Sequence, residues 1–226
     1  MNMNITYIMK TYIYFHICCI NNWLNIVIDI INDIKKSGLY IIIDEIRCFI
    51  LGDFNVNLIP EIFNDPKIKI CNVHPNIHLY EKFTLWSLYD DSLKEDFNVL
   101  YLHSKGIGHN SKPNIIDWVD YLIYFNVYKF KNILEYLTTY DTVGVNFAQD
   151  RPHYSGNFWW SKSSHIKTLN RNIGNSYWDA EFWVTSKTTN YKALSLYQSK
   201  VNHYNERYVA KNYIDKDFQI ETYEII

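Results

Sequence analysis

Thr11-Tyr12-Ile13-Tyr14-Phe15-His16-Ile17-Cys18-Cys19 is a run of β-branched and aromatic residues with almost no polar alternation, broken by Asn21-Asn22. Such a run reads as a strand buried on both faces, the pattern of a parallel sheet. Downstream, Leu24, Val27, Ile28, Ile31 and Ile34 recur at three- and four-residue steps, ahead of Lys35-Lys36 and Gly38. Residues 23–36 are therefore expected to form a helix with cations at its negative end and a glycine stop. Residues 40–51 then read as a second strand, with Gly52-Asp53 as its turn. Strand, helix and strand make a βαβ unit, so the fold class expected is α/β: a single Rossmann-like domain over residues 1–226, its mostly parallel central sheet flanked by helices.

The pattern continues outward. Residues 67–73 and 98–103 read as further strands, 79–93 as a helix between them, and 115–137 as a long helix with Asn114 as its cap. Beyond these, 141–147, 156–160 and 193–197 read as strands and 163–169 and 179–186 as short helices. The tail to 226 shows no clear period.

Composition excludes several classes of protein. The 226 residues are 48% hydrophobic and 20% charged with only 7 Gly and 5 Pro, which rules out collagen-like or disordered chains and requires a sizeable core. A net charge of −2 disfavours a polyphosphate partner, so no nucleic-acid binding is expected. Cys18, Cys19, Cys48 and Cys71 form no Cys-x-x-Cys pair and are read as reduced core thiols of a cytosol-like compartment. Residues 11–20 approach a signal peptide's apolar length but contain His16 and lack a small-residue cleavage site. No run of about 18 apolar residues occurs, so no membrane span is expected.

Three stretches carry chemistry. The first, Leu100-Tyr101-Leu102-His103-Ser104-Lys105-Gly106-Ile107-Gly108-His109, ends a strand in a basic, glycine-containing loop. In open α/β sheets ligands bind at that end of the strands, and backbone N–H groups with an ammonium suit an anion such as phosphate. The second, Tyr154-Ser155-Gly156-Asn157-Phe158-Trp159-Trp160, combines a versatile amide with paired indoles, a mixture suited to a sugar ring. The third, Tyr177-Trp178-Asp179-Ala180-Glu181-Phe182-Trp183, offers two carboxylates, either as helix caps or as a general base. His74 and His203 are weaker signals.

Taken in order, Ser37-Gly38-Leu39-Tyr40, Tyr80-Glu81-Lys82-Phe83-Thr84-Leu85, Tyr101-Leu102-His103-Ser104-Lys105-Gly106, Trp118, Gly156-Asn157-Phe158-Trp159-Trp160 and Asp179-Ala180-Glu181-Phe182-Trp183 resemble a family of glycosyltransferase-like proteins of giant viruses and some bacteria. That family has the nucleotide-diphospho-sugar transferase (GT-A) fold, and the resemblance covers most of the chain. It implies a nucleotide-sugar donor, a UDP-sugar, held by the N-terminal half at His16, His74, His103, Ser104, Lys105 and Gly106. It implies a glycan or glycoprotein acceptor held by the C-terminal half at Asn157, Trp159 and Trp160. Asp179, or else Glu181, would be the general base of an inverting displacement, and the location implied is cytoplasmic, in a host or virion if viral.

One departure concerns metal. Where many GT-A enzymes carry Asp-x-Asp, this chain has His103-Ser104-Lys105, so no metal ligand is assigned and a carboxylate-held divalent ion such as Mn2+ is not expected. Lys105 or a charged His103 would stabilise the leaving diphosphate instead. A His103–His203 metal pair stays open as an alternative. So does a non-catalytic nucleotide- or carbohydrate-binding module of the same fold. A sugar nucleotidyltransferase is disfavoured because residues 18–23 lack its glycine-rich first loop.

Overall fold

The computed structural model describes residues 9–108, 112–187 and 190–225. His109, part of the first chemical stretch, lies outside them. Strand β1 (Lys10–Cys19) leads into helix α1 (Trp23–Lys36), the helical turn α2 (Leu39–Ile42) and strand β2 (Glu45–Gly52). Then follow β3 (Ile68–His74), α3 (Lys82–Ser92), β4 (Phe97–His103), α4 (Pro113–Ile123) and α5 (Phe130–Tyr136). The C-terminal part adds β5 (Thr142–Gly144), β6 (Phe147–Ala148), β7 (His153–Tyr154), β8 (Trp159–Lys162), α6 (Ser163–Ile166), β9 (Tyr191–Ser195) and β10 (Glu221–Ile225).

Eight of these strands form one sheet in the order β10-β9-β5-β8-β4-β1-β2-β3, and β6 pairs with β7 apart from it. The half built from β4, β1, β2 and β3 is entirely parallel, whereas β8 is antiparallel to both neighbours and β10 to β9. Alternate residues of β1 feed two core layers. Ile13, Phe15 and Ile17 pack with α1, α4 and α5 on one face, and Tyr12 and Tyr14 pack with α3 on the other. From β1 the chain steps to β2 and β3 on one side, then returns to place β4 on the other side of β1. That reversal opens a crevice at the carboxyl ends of β1 and β4, the usual ligand position in open α/β sheets.

Several expected elements differ in extent. Residues 40–44 precede the strand. Gly38, at φ +83°, starts the helical turn α2, and the Lys67 ammonium draws the carbonyls of Tyr40, Ile41 and Ile43 into hydrogen bonds of 2.9, 3.3 and 2.6 Å. A cation satisfying terminal carbonyls overrides the β-preference of three successive isoleucines. The long helix begins at Pro113 with Lys112 at its cap position; Asn114 instead donates to the carbonyls of His203 and Tyr204, tying down the C-terminal segment. Its middle widens into a π-helical stretch, Tyr124–Tyr128, where the Asn126 carbonyl accepts from the Trp160 indole at 2.8 Å. Cys71 is exposed on the edge strand β3, correcting its assignment to the core.

Gly144 sits beneath the Tyr154 ring, and a Cβ there would meet that ring at 2.5 Å. The phenol above is itself fixed by Thr142 Oγ1 at 2.9 Å and the Leu194 carbonyl at 3.2 Å, so the ring cannot retreat. Gly144→Ala should therefore destabilise by about 3 kcal/mol through overpacking, read as a lowered midpoint in denaturant.

Candidate functional site

The crevice is a cleft of about 330 Å3, large enough for part of a small ligand. His16, Cys18 and Ile20 from the end of β1 form one wall, and His103, Ser104, Lys105 and Gly106 from the end of β4 form the floor. Register makes them neighbours: His16 lies opposite His103, and the ladder is extended when Ser104 N–H donates to the His16 carbonyl at 2.9 Å. The Ser104 hydroxyl accepts from Cys18 N–H at 3.1 Å, so this serine braces two strand ends. Gly106, at φ +95°, turns the loop back toward α4.

Lys105 places its ammonium 3.8 Å from the centroid of the Trp118 ring. Burial lowers its pKa, while the Glu181 and Glu81 carboxylates pull it back up. Glu81, just before α3, faces the same cleft with its side chain 18% exposed. Burial pushes its carboxyl up to about 7, against the opposing influence of Lys105 and of a hydrogen bond from Asn157. His103 is held down to about 3, first by burial and then by Lys105. Its Nδ1 lies 3.2 Å from Glu81 Oε1 and its Nε2 3.2 Å from the Gly156 carbonyl. His16, also held near 3 by burial and by His103, shares a 2.8 Å hydrogen bond between Nδ1 and the Thr84 hydroxyl.

Aromatic walls are present, but they come from other residues than expected. Tyr80, Trp118, Tyr177 and Tyr204 line the cleft, with Tyr80 edge-on to Tyr177 at 5.3 Å and Trp118 edge-on to Tyr204 at 5.0 Å. Tyr80 adopts φ +51°, ψ −159°, a costly conformation for a non-glycine residue and one that gathers at functional sites.

The structure corrects three placements. Trp159 and Trp160 are fully buried in opposite core layers, Trp159 stacked 4.9 Å from Tyr101, so no indole platform faces a ligand. Their strand, β8, is interior to the sheet and covered on both faces. Asn157 is buried as well and reaches the cleft only through Glu81, donating to Oε2 at 3.2 Å. His74 is not in the cleft lining: its Nδ1 accepts from Asn76 N–H at 3.1 Å on the exposed end of β3. The residues following it, Ile77, His78 and Tyr80, occupy that wall instead.

The two acids also separate. Asp179 lies in no helix; its carboxylate accepts from Ser176 N–H at 2.8 Å and closes a turn beside Gly174. It faces a different, more open depression of about 560 Å3 bordered by Asn170, Asn172, Phe182 and Lys187. Glu181 turns the other way. It accepts from Gly156 N–H at 3.2 Å, and its charge acts on Lys105, Tyr177 and Tyr204.

Among the described residues no group of three or more His, Cys, Asp or Glu side chains converges on one point. His203 stacks on Trp118 and commits its Nε2 to Ser199 at 2.8 Å and Asn146 at 3.2 Å. Nor is any helix among the described residues long and apolar enough to cross a membrane.

Tyr80, Glu81 and Trp118 were missed as site residues although all three belong to stretches singled out in the sequence. Tyr80 and Glu81 lie in the segment between β3 and α3, and Trp118 lies in the helix that follows the Lys105 loop.

Fold and cleft together define an open α/β protein with a partly buried, mixed-charge cleft at the switch point of its sheet. No family model and no curated protein matches the chain. Among solved structures it is similar to a protein of Desulfovibrio desulfuricans G20 provisionally named a nucleotide-diphospho-sugar transferase, at 11% identity and a TM-score of 0.41 over 76% of this chain and 74% of that one.

A carboxyl held near 7 rather than 4.5 binds its proton more tightly in the folded than in the unfolded chain. Its stabilising contribution is complete below pH 4.5 and is lost as pH rises through 7, by up to about 3 kcal/mol. His103 acts in the opposite sense, costing stability as pH falls from 6.5 toward 3. Glu81→Gln removes only the first effect. The melting temperature of the variant relative to wild type should rise steadily from pH 4.5 to 7.5, and a constant difference across that window would refute the buried-carboxyl assignment.

Proposed function

We propose that the chain is a glycosyltransferase that moves a sugar from a nucleotide-diphosphate sugar, a UDP-sugar, to a hydroxyl of a glycan or glycoprotein acceptor. The observation that carries this reading is the Lys105 ammonium at the carboxyl end of β4, set in a switch-point cleft with aromatic walls. The GT-A-like character of the fold belongs to the same proposal and rests on the ordered sequence motifs.

In this reading Lys105 neutralises the diphosphate, and its charge strengthens the departing nucleoside diphosphate as negative charge gathers on it. Tyr80, Tyr177 and Tyr204 offer ring faces for base and sugar. The acceptor oxygen attacks the anomeric carbon, the bond from that carbon to the phosphate oxygen breaks with its electron pair leaving on the diphosphate, and the hydroxyl proton passes to a carboxylate. Glu181 fits that role better than Asp179, because its charge reaches Lys105 whereas the Asp179 carboxylate is spent on its own turn. Single displacement inverts the anomeric centre.

Two measurements test the reading. Lys105→Ala should weaken UDP binding by roughly 10- to 100-fold in calorimetry, the value of a hydrogen bond to a charged group; equal affinity removes the phosphate role. Glu181→Gln should lower turnover by about 100- to 10,000-fold, the range of a lost general base, with UDP affinity kept within a few fold. Mass spectrometry of acceptor mixtures reads the transfer directly. Tight UDP binding with neither transfer nor hydrolysis of a UDP-sugar would mark a binding module instead.

A further inference from the structure

Each ring nitrogen of His103 faces an oxygen. Its Nε2 faces the Gly156 carbonyl at 3.2 Å, and a carbonyl oxygen can only accept, so Nε2 must carry a hydrogen. Nδ1 then has either a lone pair or a second hydrogen, and it lies 3.2 Å from Glu81 Oε1. With a lone pair on nitrogen, the contact is a hydrogen bond only if Glu81 is a carboxylic acid; with a hydrogen there, the ring is an imidazolium and Glu81 a carboxylate. Both arrangements contain one proton more than a neutral imidazole beside a carboxylate, which would set two lone pairs against each other. The other carboxylate oxygen cannot relieve this, since Oε2 already accepts from Asn157.

The couple therefore has a charge of zero with its proton and −1 without it, and it lines the cleft that holds Lys105. We propose that the Glu81–His103 couple makes anion binding in this cleft proton-linked, so that a diphosphate-bearing ligand enters together with one proton. The inference rests on the nucleotide-sugar reading for its ligand class.

The surroundings favour this coupling. Lys105 is the cation facing Glu81, and Glu181 offsets part of its charge. Tyr101, Tyr177 and Tyr204 face Glu81 as phenols kept protonated by burial, and His16, beside His103, is kept neutral in the same way. Deprotonating the couple leaves two negative carboxylates around one ammonium, an arrangement that repels a diphosphate. By linkage, a bound diphosphate raises the couple's affinity for its proton by the same factor. The Glu81 carboxyl, pushed by burial to about 7, places this exchange within the physiological range.

The probe is UDP-glucose, whose doubly esterified diphosphate has no proton to exchange between pH 5.5 and 8.5. Calorimetric titrations of the wild-type chain in buffers of different ionisation enthalpy should show net proton uptake near pH 7, and affinity should fall about 10-fold from pH 6 to pH 8. Glu81→Gln, checked for folding by thermal melting, should bind with buffer-independent heat and flat affinity. Binding by wild type with no proton uptake overturns the proposal and leaves the transferase reading standing. Uptake that persists in Glu81→Gln overturns the assignment to this couple. Proton-linked binding without any transfer supports the proposal and overturns the transferase reading, whereas no binding at any pH overturns both.

Discussion

Burial of β1 on both faces and along both edges is the constraint from which the rest of the molecule follows. Ile13, Phe15 and Ile17 on one side and Tyr12 and Tyr14 on the other are removed from water, each side chain contributing roughly 1.5–3 kcal/mol. A strand so enclosed can meet a ligand only at an end. At the carboxyl end β2 finishes at Gly52 and β4 runs into the Lys105 loop, so His16, near that end of β1, comes to lie against His103 at the mouth of a crevice. β4 ends at His103, opposite His16, while β1 and β2 continue to Cys19 and Gly52, so a single short loop after β4 can supply the floor of the cleft.

The β1–α1–β2 unit was legible because its two strands are largely apolar runs on either side of an amphipathic helix, a pattern with few alternative readings. Legibility failed where a distant group decides local structure. Nothing within residues 39–43 announces that Lys67 will collect three of their carbonyls. Nothing near Asn126 announces that an indole from β8 will take its carbonyl and widen the helix. The tail is a third case. Glu221, Tyr223 and Ile225 are the less exposed positions of β10, but a glutamate among them hides the two-residue period. That glutamate is accommodated because Gln198 and Tyr223 both donate to its carboxylate.

The candidate site was legible by position and partly illegible by composition. The end of β4 follows from strand order alone, and Lys105 is where that order places it. The paired tryptophans illustrate the opposite. A run such as Phe158-Trp159-Trp160 fits an exposed platform or an interior strand equally well, because local sequence does not say how many strands lie beyond it. Here β5, β9 and β10 do lie beyond, so β8 is enclosed and both indoles become core. Three of the rings that line the cleft, Tyr80, Tyr177 and Tyr204, sit on irregular segments and carry no periodic signature.

Asn157 joins the buried aromatic motif to the cleft through hydrogen bonds to Trp159 and Glu81. Its Oδ1 accepts from the Trp159 indole at 2.8 Å, and an indole N–H can only donate. That fixes which end of the amide is oxygen, so the end facing Glu81 must be the NH2 group, and Glu81 Oε2 receives a donor whatever its protonation state. Asn157 holds this pose in the left-handed region at φ +54°, next to Gly156, whose carbonyl fixes the tautomer of His103 and whose N–H engages Glu181. A turn of two residues thus sets the hydrogen-bonding of both carboxylates and of the histidine between them. Its geometry is anchored by an indole that never meets a ligand, so replacing Trp159 by a phenylalanine of similar apolar character would free the amide to rotate and disturb the cleft without touching its lining.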